Sequence, residues 1–235
     1  MTLAIMQPYL FPYLGYFHLI HAIDKFVFYD DVNFIKQGWI NRNNILLNQE
    51  PHLFTVPVRQ ISSFKKINET ELDSAQYLSW KKKFFKTIDH AYRNAPYFNS
   101  TRRLIEDVFS EDTKYVSDLA ILSILSVSKY LNLKRDMRPT AQIYANAHLQ
   151  ADDRVLDICK REGATVYVNP RGGKNLYSRE VFAANGIDLK FISSEIPRYR
   201  QFGGEFVAEL SIIDVLMFNS PEAISQEMLS CYVLE

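Results

Sequence analysis

Apolar residues along this chain follow two alternating periods, one of strands and one of helices. A short apolar run at residues 3–6 meets Gln7-Pro8 and a Pro/Gly/Tyr turn. From residue 16 to 23 the spacing becomes helical, with Phe17, Ile20 and Ile23 on one side. Residues 25–29 (Lys-Phe-Val-Phe-Tyr) read as a second strand. Strand, helix and strand in that order predict two parallel strands joined by a right-handed crossover. Ligands of such units sit outside the carboxyl ends of the strands, which here carry Gln7-Pro8-Tyr9 and Asp30-Asp31-Val32-Asn33. Residues 45–47 and 53–58 read as extended around a turn at 48–51, forming a hairpin attached to the sheet.

Residues 74–131 are mainly helical in pattern, broken at Ala95-Pro96 because a proline disfavours helix in the residue before it, and broken again near 110–113. The last third predicts a strand near Asp136, a helix over 151–162, a strand over 165–169, a helix after Ser178 and a strand over 187–192. Together these predict one α/β domain over residues 1–235, with a parallel-sheet, Rossmann-like core and a helical insertion at about 74–131. There is no internal repeat and no Gly/Ser-rich linker.

Composition narrows the function. Lys and Arg balance Asp and Glu at 27 each, so no net charge draws the chain to nucleic acid or an anionic bilayer. Cys159 and Cys231 lie far apart, and neither they nor the five histidines show metal-ligand spacing, so no metal site is expected. No signal h-region or membrane-length apolar run occurs, which predicts a cytoplasmic protein without a membrane span. Of the 14 Tyr and 16 Phe, many cluster in the first 34 positions among Gln, Pro, Asp and Asn, as they would in the wall of a small-molecule pocket or in an aromatic core.

Four stretches can carry chemistry. In the first, Gln7-Pro8-Tyr9 through Tyr13, Gly15 and Tyr16, two prolines stiffen a loop that delivers Gly15 to a helix N-terminus suited to an anion; a plain strand-to-helix connection reads the same way. In the second, Asp30, Asp31 and Asn33 could bind a metal, a ribose or an ammonium. Lys36 and Arg42 could hold phosphate oxygens beside Trp39 and Asn41, and the same Asp and Asn residues could simply cap turns. The third, Asn169 to Tyr177, has Gly172-Gly173 flanked by Arg171 and Lys174, an anion loop or a mere turn, without Walker A spacing. The fourth pairs Gln201 with Ser211 and Asp214, whose spacing fits a helix cap with a carboxylate in the first turn.

Taken jointly, Gln7-Pro8-Tyr9, Phe11-Pro12-Tyr13-Leu14-Gly15-Tyr16, Tyr29-Asp30-Asp31-Val32, Lys36, residues 38–43 (Gly-Trp-Ile-Asn-Arg-Asn), Asn169-Pro170 with Gly172-Gly173, Tyr199 with Gln201-Phe202, and residues 211–217 (Ser-Ile-Ile-Asp-Val-Leu-Met) resemble the WbqC-like family over nearly the whole chain. That family is associated with gene clusters for bacterial surface polysaccharide such as O-antigen, and the resemblance implies a glycine (aminoacyl) transferase. A second likeness, of the Tyr13-Leu14-Gly15-Tyr16 turn to the His-x-Gly-His turn of nucleotidylyltransferases and pantothenate synthetase (a HUP-type core), admits ATP and Mg2+ as cofactors. Here tyrosines replace both histidines, so positive charge would have to come from Lys36, Arg42, Arg171 or Lys174.

The expectation is therefore a transferase joining an amino acid such as glycine to a nucleotide- or lipid-linked sugar, alongside other polysaccharide-biosynthesis enzymes. Asp30, Asp31, Lys36 and Arg42 would carry the chemistry. Gln7, Pro8, Tyr9, Tyr13, Gly15, Tyr16, Asn33, Trp39, Asn41, Asn169, Gly172, Gly173, Gln201, Ser211 and Asp214 would bind substrate. The alternatives are a nucleotidylyltransferase releasing pyrophosphate and a non-catalytic sugar-nucleotide-binding module.

Overall fold

The computed structural model describes residues 1–235. Its main sheet has six strands: β1 (Thr2–Met6), β2 (Lys25–Phe28), β5 (Asp136–Arg138), β6 (Val166–Pro170), β7 (Asp188–Ser194) and β8 (Tyr232–Leu234), in the spatial order β5-β2-β1-β6-β7-β8. The first five are parallel and β8 runs antiparallel to β7. The chain winds outward from β1 in one direction and then returns to wind outward in the other. This puts a topological switch point between β1 and β6, where doubly wound sheets open a crevice.

The strands are apolar on both faces, as helix-covered parallel strands must be. Leu3, Ile5, Val27, Tyr167, Leu189 and Phe191 pack to one side, with α5 (Ala151–Glu162) and Phe182 of α6 (Arg179–Ala184). Ala4, Phe26, Phe28, Val168 and Ile192 pack to the other side, with α1 (Leu14–His21) and α7 (Ile212–Phe218). The α5 helix has acids in its first turn, Lys160 and Arg161 in its last, and Gly163 at φ 70 just past its end.

The insertion forms α2 (Ser74–Tyr92), α3 (Phe98–Ser110) and α4 (Val116–Tyr130), within a few residues of their predicted bounds. Asp73 caps α2 by accepting from the Ala75 and Gln76 amides. Its apolar faces join the same core as α1 and α7. The hairpin corrects one expectation: β3 (Arg42–Leu47) and β4 (Glu50–Thr55) pair only with each other, as a separate two-stranded sheet. Asn48 and Gln49 turn it with φ of 53 and 66. No helix is long and apolar enough to cross a membrane.

His18 and His21, three apart on α1, do not converge on a metal. His18 is fully buried with Nε2 3.0 Å from the Met228 carbonyl, and burial drives its pKa down to about 4 against the pull of that carbonyl. The unfolded chain then takes up the His18 proton near pH 6.5 while the fold does not. Stability is expected to fall as pH drops from about 6.5 towards 4. Thermal melts of the wild type and of His18→Asn across that window check this: the wild type should lose more melting temperature than the variant between pH 6.5 and 5, the remaining loss in both coming from His21, whose pKa burial also lowers.

Candidate functional site

The loop from Gln7 to Tyr13, between β1 and α1, is held by side chains distant in the sequence. Phe11 is fully buried with φ 41, a left-handed conformation that bulky residues avoid. Its amide donates to Ser123 Oγ of α4 at 2.9 Å. Its carbonyl accepts from Asn43 Nδ2 of β3 at 2.8 Å and from Ser211 Oγ at 2.7 Å. The Leu10 amide donates to the Trp39 carbonyl, the Ile212 amide to the Pro12 carbonyl, and the Tyr16 hydroxyl to the Gln7 carbonyl. Such over-determination is what sustains a backbone cost of about 1–3 kcal/mol. Asn43, Ser211 and Tyr16 thus shape the loop, and Ser211 also caps α7 through the Ile213 amide.

What the clamped loop presents is a pocket of about 250 Å³ lined by Tyr9, Pro12, Tyr13, Trp39, Asn43 and Glu209. Tyr9 and Tyr13 are half-buried, and neither hydroxyl has a protein partner. Burial, then the neighbouring tyrosine, raises the Tyr9 pKa; burial, then the Glu209 carboxylate, raises that of Tyr13, so both are neutral at pH 7. Tyr13 precedes α1, and its ring lies over Gly15: a Cβ at that position would run into the ring and come 2.9 Å from Ser194 Oγ. Gly15→Ala is accordingly expected to displace the Tyr13 ring and abolish ligand binding at a stability cost of about 1–3 kcal/mol. Calorimetry beside denaturant melts separates the two effects.

The carboxylates after β2 are engaged elsewhere. Asp30 accepts from Thr140 Oγ1 at 2.8 Å, the Ala141 amide at 3.0 Å and Asn68 Nδ2 at 3.3 Å. Burial raises its pKa against those three bonds. Asp31 pairs at 2.5 Å with Arg154 of α5, each about 4% exposed, and the Arg154 guanidinium lies over the Tyr29 ring. Asp31 Oδ1 and Gln7 Oε1 are buried without hydrogen-bond partners at the ends of adjacent strands. No group of three His, Cys, Asp or Glu is gathered as a metal site, and with Asp30 satisfied and Asp31 neutralised by an arginine these side chains do not suit Mg2+.

The remaining predicted residues scatter. Lys36 and Asn33 are exposed. The Arg42 guanidinium donates to the Gly38 and Gln37 carbonyls and lies 5.8 Å from the Trp39 ring centroid, which ties down the turn that carries Trp39. Asn41 is buried and donates to the Val56 carbonyl. Asn169, at the end of β6, donates to Tyr167, and its Oδ1 fills the space a Cβ on Gly173 would need, whereas Gly172 faces open space. Asp214 is buried under Tyr92, Tyr199 and Gln201, which donate to it at 2.8, 2.6 and 2.7 Å. The predicted residues that meet in one pocket are thus Tyr9, Tyr13 and Trp39, above a framework of Gly15, Tyr16 and Ser211.

The sequence matches the WbqC-like protein family over residues 7–226. The chain belongs to the WbqC-like protein family. It is 28% identical over 225 residues to the Uncharacterized protein Rv1507c of Mycobacterium tuberculosis (strain ATCC 25618 / H37Rv), covering 94% of each chain. No solved structure matches it.

In this WbqC-like chain two important residues escape sequence reading. Glu209 enters the pocket only because the Tyr13–Ser211 bridge lays residues 209–211 beside the first loop. Its φ of 58 leaves no mark in the sequence. Arg154 is one basic residue within an ordinary amphipathic helix, and its partner lies 123 residues away.

Proposed function

We propose that this WbqC-like protein is a transferase of bacterial surface-polysaccharide biosynthesis, joining an amino acid such as glycine to a nucleotide- or lipid-linked sugar in the Tyr9–Tyr13–Trp39 pocket. The observation that carries this reading is the pocket itself. Its floor is a strained loop clamped from three distant elements, and its walls are aromatic rings with unpaired hydroxyls, which suit the apolar face of a sugar and a few of its polar groups. At about 250 Å³ it holds one small group, with the nucleotide or lipid part left outside.

In such a transfer the acceptor amine or hydroxyl attacks the activated acyl carbon, the bond to the activating group breaks, and the acceptor's proton passes to solvent or to that leaving group. The protein's share is to hold acceptor and acyl carbon together. Tyr9 and Tyr13 remain neutral donors towards the reacting oxygens.

A non-catalytic binding module is the second reading, favoured because no nucleophile–base pair lines the pocket. Nucleotidyl transfer is less well supported, since no lysine or arginine lines the pocket to hold phosphates. Mass spectrometry would follow labelled glycine, offered with ATP and Mg2+ or as a glycyl thioester, onto a panel of UDP- and dTDP-linked amino sugars. A glycyl sugar made by the wild type and not by Tyr13→Ala is expected. Ligand binding without product from either donor would establish the module reading instead.

A further inference from the structure

Resting on the reading of this pocket as a substrate site, we infer that it selects an organic ammonium, with Glu209 as counter-ion and the rings of Tyr9, Tyr13 and Trp39 as a cage. Three aromatic side chains and one carboxylate line it, together with Pro12 and Asn43, and no Lys, Arg or His does. Aromatic faces carry the negative end of a quadrupole, which attracts a cation and repels an anion. Asn43 offers nothing of opposite sign: its amide nitrogen donates to the Leu10 and Phe11 carbonyls and its oxygen accepts the Asn44 amide.

The nearest guanidinium, that of Arg42, is turned away to the Gln37 and Gly38 carbonyls while it lies by the Trp39 ring. The uncommitted side-chain polar groups of the pocket are therefore two neutral hydroxyls, the Trp39 indole N–H and one carboxylate, with no cation among them. Glu209 lines the same pocket as Tyr13, brought there by the Tyr13–Ser211 bridge two residues along the chain. Trp39, 42% exposed, leaves the outer end open to solvent, so the remainder of a ligand can extend out of the cage.

An ammonium reaches such a site either as the amino group of an amino acid or as that of an amino sugar, and matched probes tell the two apart. Calorimetric titration would compare glycine methyl ester with methyl glycolate and glucosamine with glucose, at a pH where the amines are protonated, with choline against 3,3-dimethylbutanol as a test of charge alone. Choline should bind about tenfold or more tighter than its neutral isostere. The pair with the larger preference for its cationic member identifies the source.

Glu209→Gln, an exposed substitution of equal size, should remove most of the preference for the cationic member of each pair. Trp39→Ala should weaken every cation. Neutral probes that bind as tightly as the cations, or a preference that survives Glu209→Gln, would overturn the ammonium assignment. If glucose binds as well as glucosamine and neither glycine methyl ester nor choline is preferred over its neutral counterpart, that assignment fails while the pocket stands as a sugar site. If no probe binds, the pocket reading and the ammonium inference fall together.

Discussion

Arg154→Ala is expected to destabilise the fold by about 3–5 kcal/mol. The guanidinium and its partner Asp31 are both withdrawn from water, and their contact spans from the first turn of α5 to the loop after β2. Removing one member strands a carboxylate whose second oxygen already has no donor. The loss exceeds the worth of the pair itself, because most of it is the cost of an uncompensated charge. It follows that Asp31→Leu combined with Arg154→Met should recover much of what either single change loses. Urea melts followed by circular dichroism measure all of this. A loss below about 1 kcal/mol for Arg154→Ala would mean that water reaches the pair and relieves it.

Asp214→Ala is expected to cost a similar amount, about 3–5 kcal/mol, since it leaves two tyrosine hydroxyls without their acceptor, removes one of the acceptors of the Gln201 amide and opens a hole beside α7. Asp214→Asn should cost only about 1 kcal/mol, because the amide keeps the shape and part of the bonding. The pH dependence distinguishes charge from shape. Burial raises the Asp214 pKa above 3.8, against the three hydrogen bonds that lower it. A carboxyl raised in the fold contributes most below its unfolded pKa, and that contribution is lost as pH rises through the folded value. The stability gap between wild type and Asp214→Asn should therefore narrow as pH rises above 3.8. Melts at several pH values give the sign directly, and a gap that widens would mean that the charge is net favourable.

Much of the architecture was legible because it rests on local periodicity. The α5 helix occupies the predicted residues 151–162, and the helices of the insertion fall within a few residues of expectation, since caps, Pro96 and apolar stripes are written in adjacent positions. The antiparallel β8 and the separation of the hairpin from the main sheet were not legible. Both depend on which edges remain free once the sheet is assembled, a global property of the fold.

The candidate site divides along the same line. The aromatic loop stood out by composition and supplies three walls of the pocket. Asp30 and Asp31 stood out for the same reason, yet their carboxylates meet Thr140, Asn68 and Arg154, residues distant in the chain that no local pattern links to them. Glu209 and Arg154 were missed because each owes its role to a single long-range contact.

The three side chains that grip Phe11 lie at positions 43, 123 and 211. During synthesis the loop leaves the ribosome early, and its last clamp follows only after nearly the whole chain has been made. The pocket therefore cannot mature on a nascent fragment, however well β1 and α1 have formed. The helices of the insertion, which line none of its walls, nonetheless help to build it through Ser123. A shortened version of the protein that kept every ligand-facing residue but lacked those helices would carry the right side chains on a relaxed loop, with nothing for them to enclose.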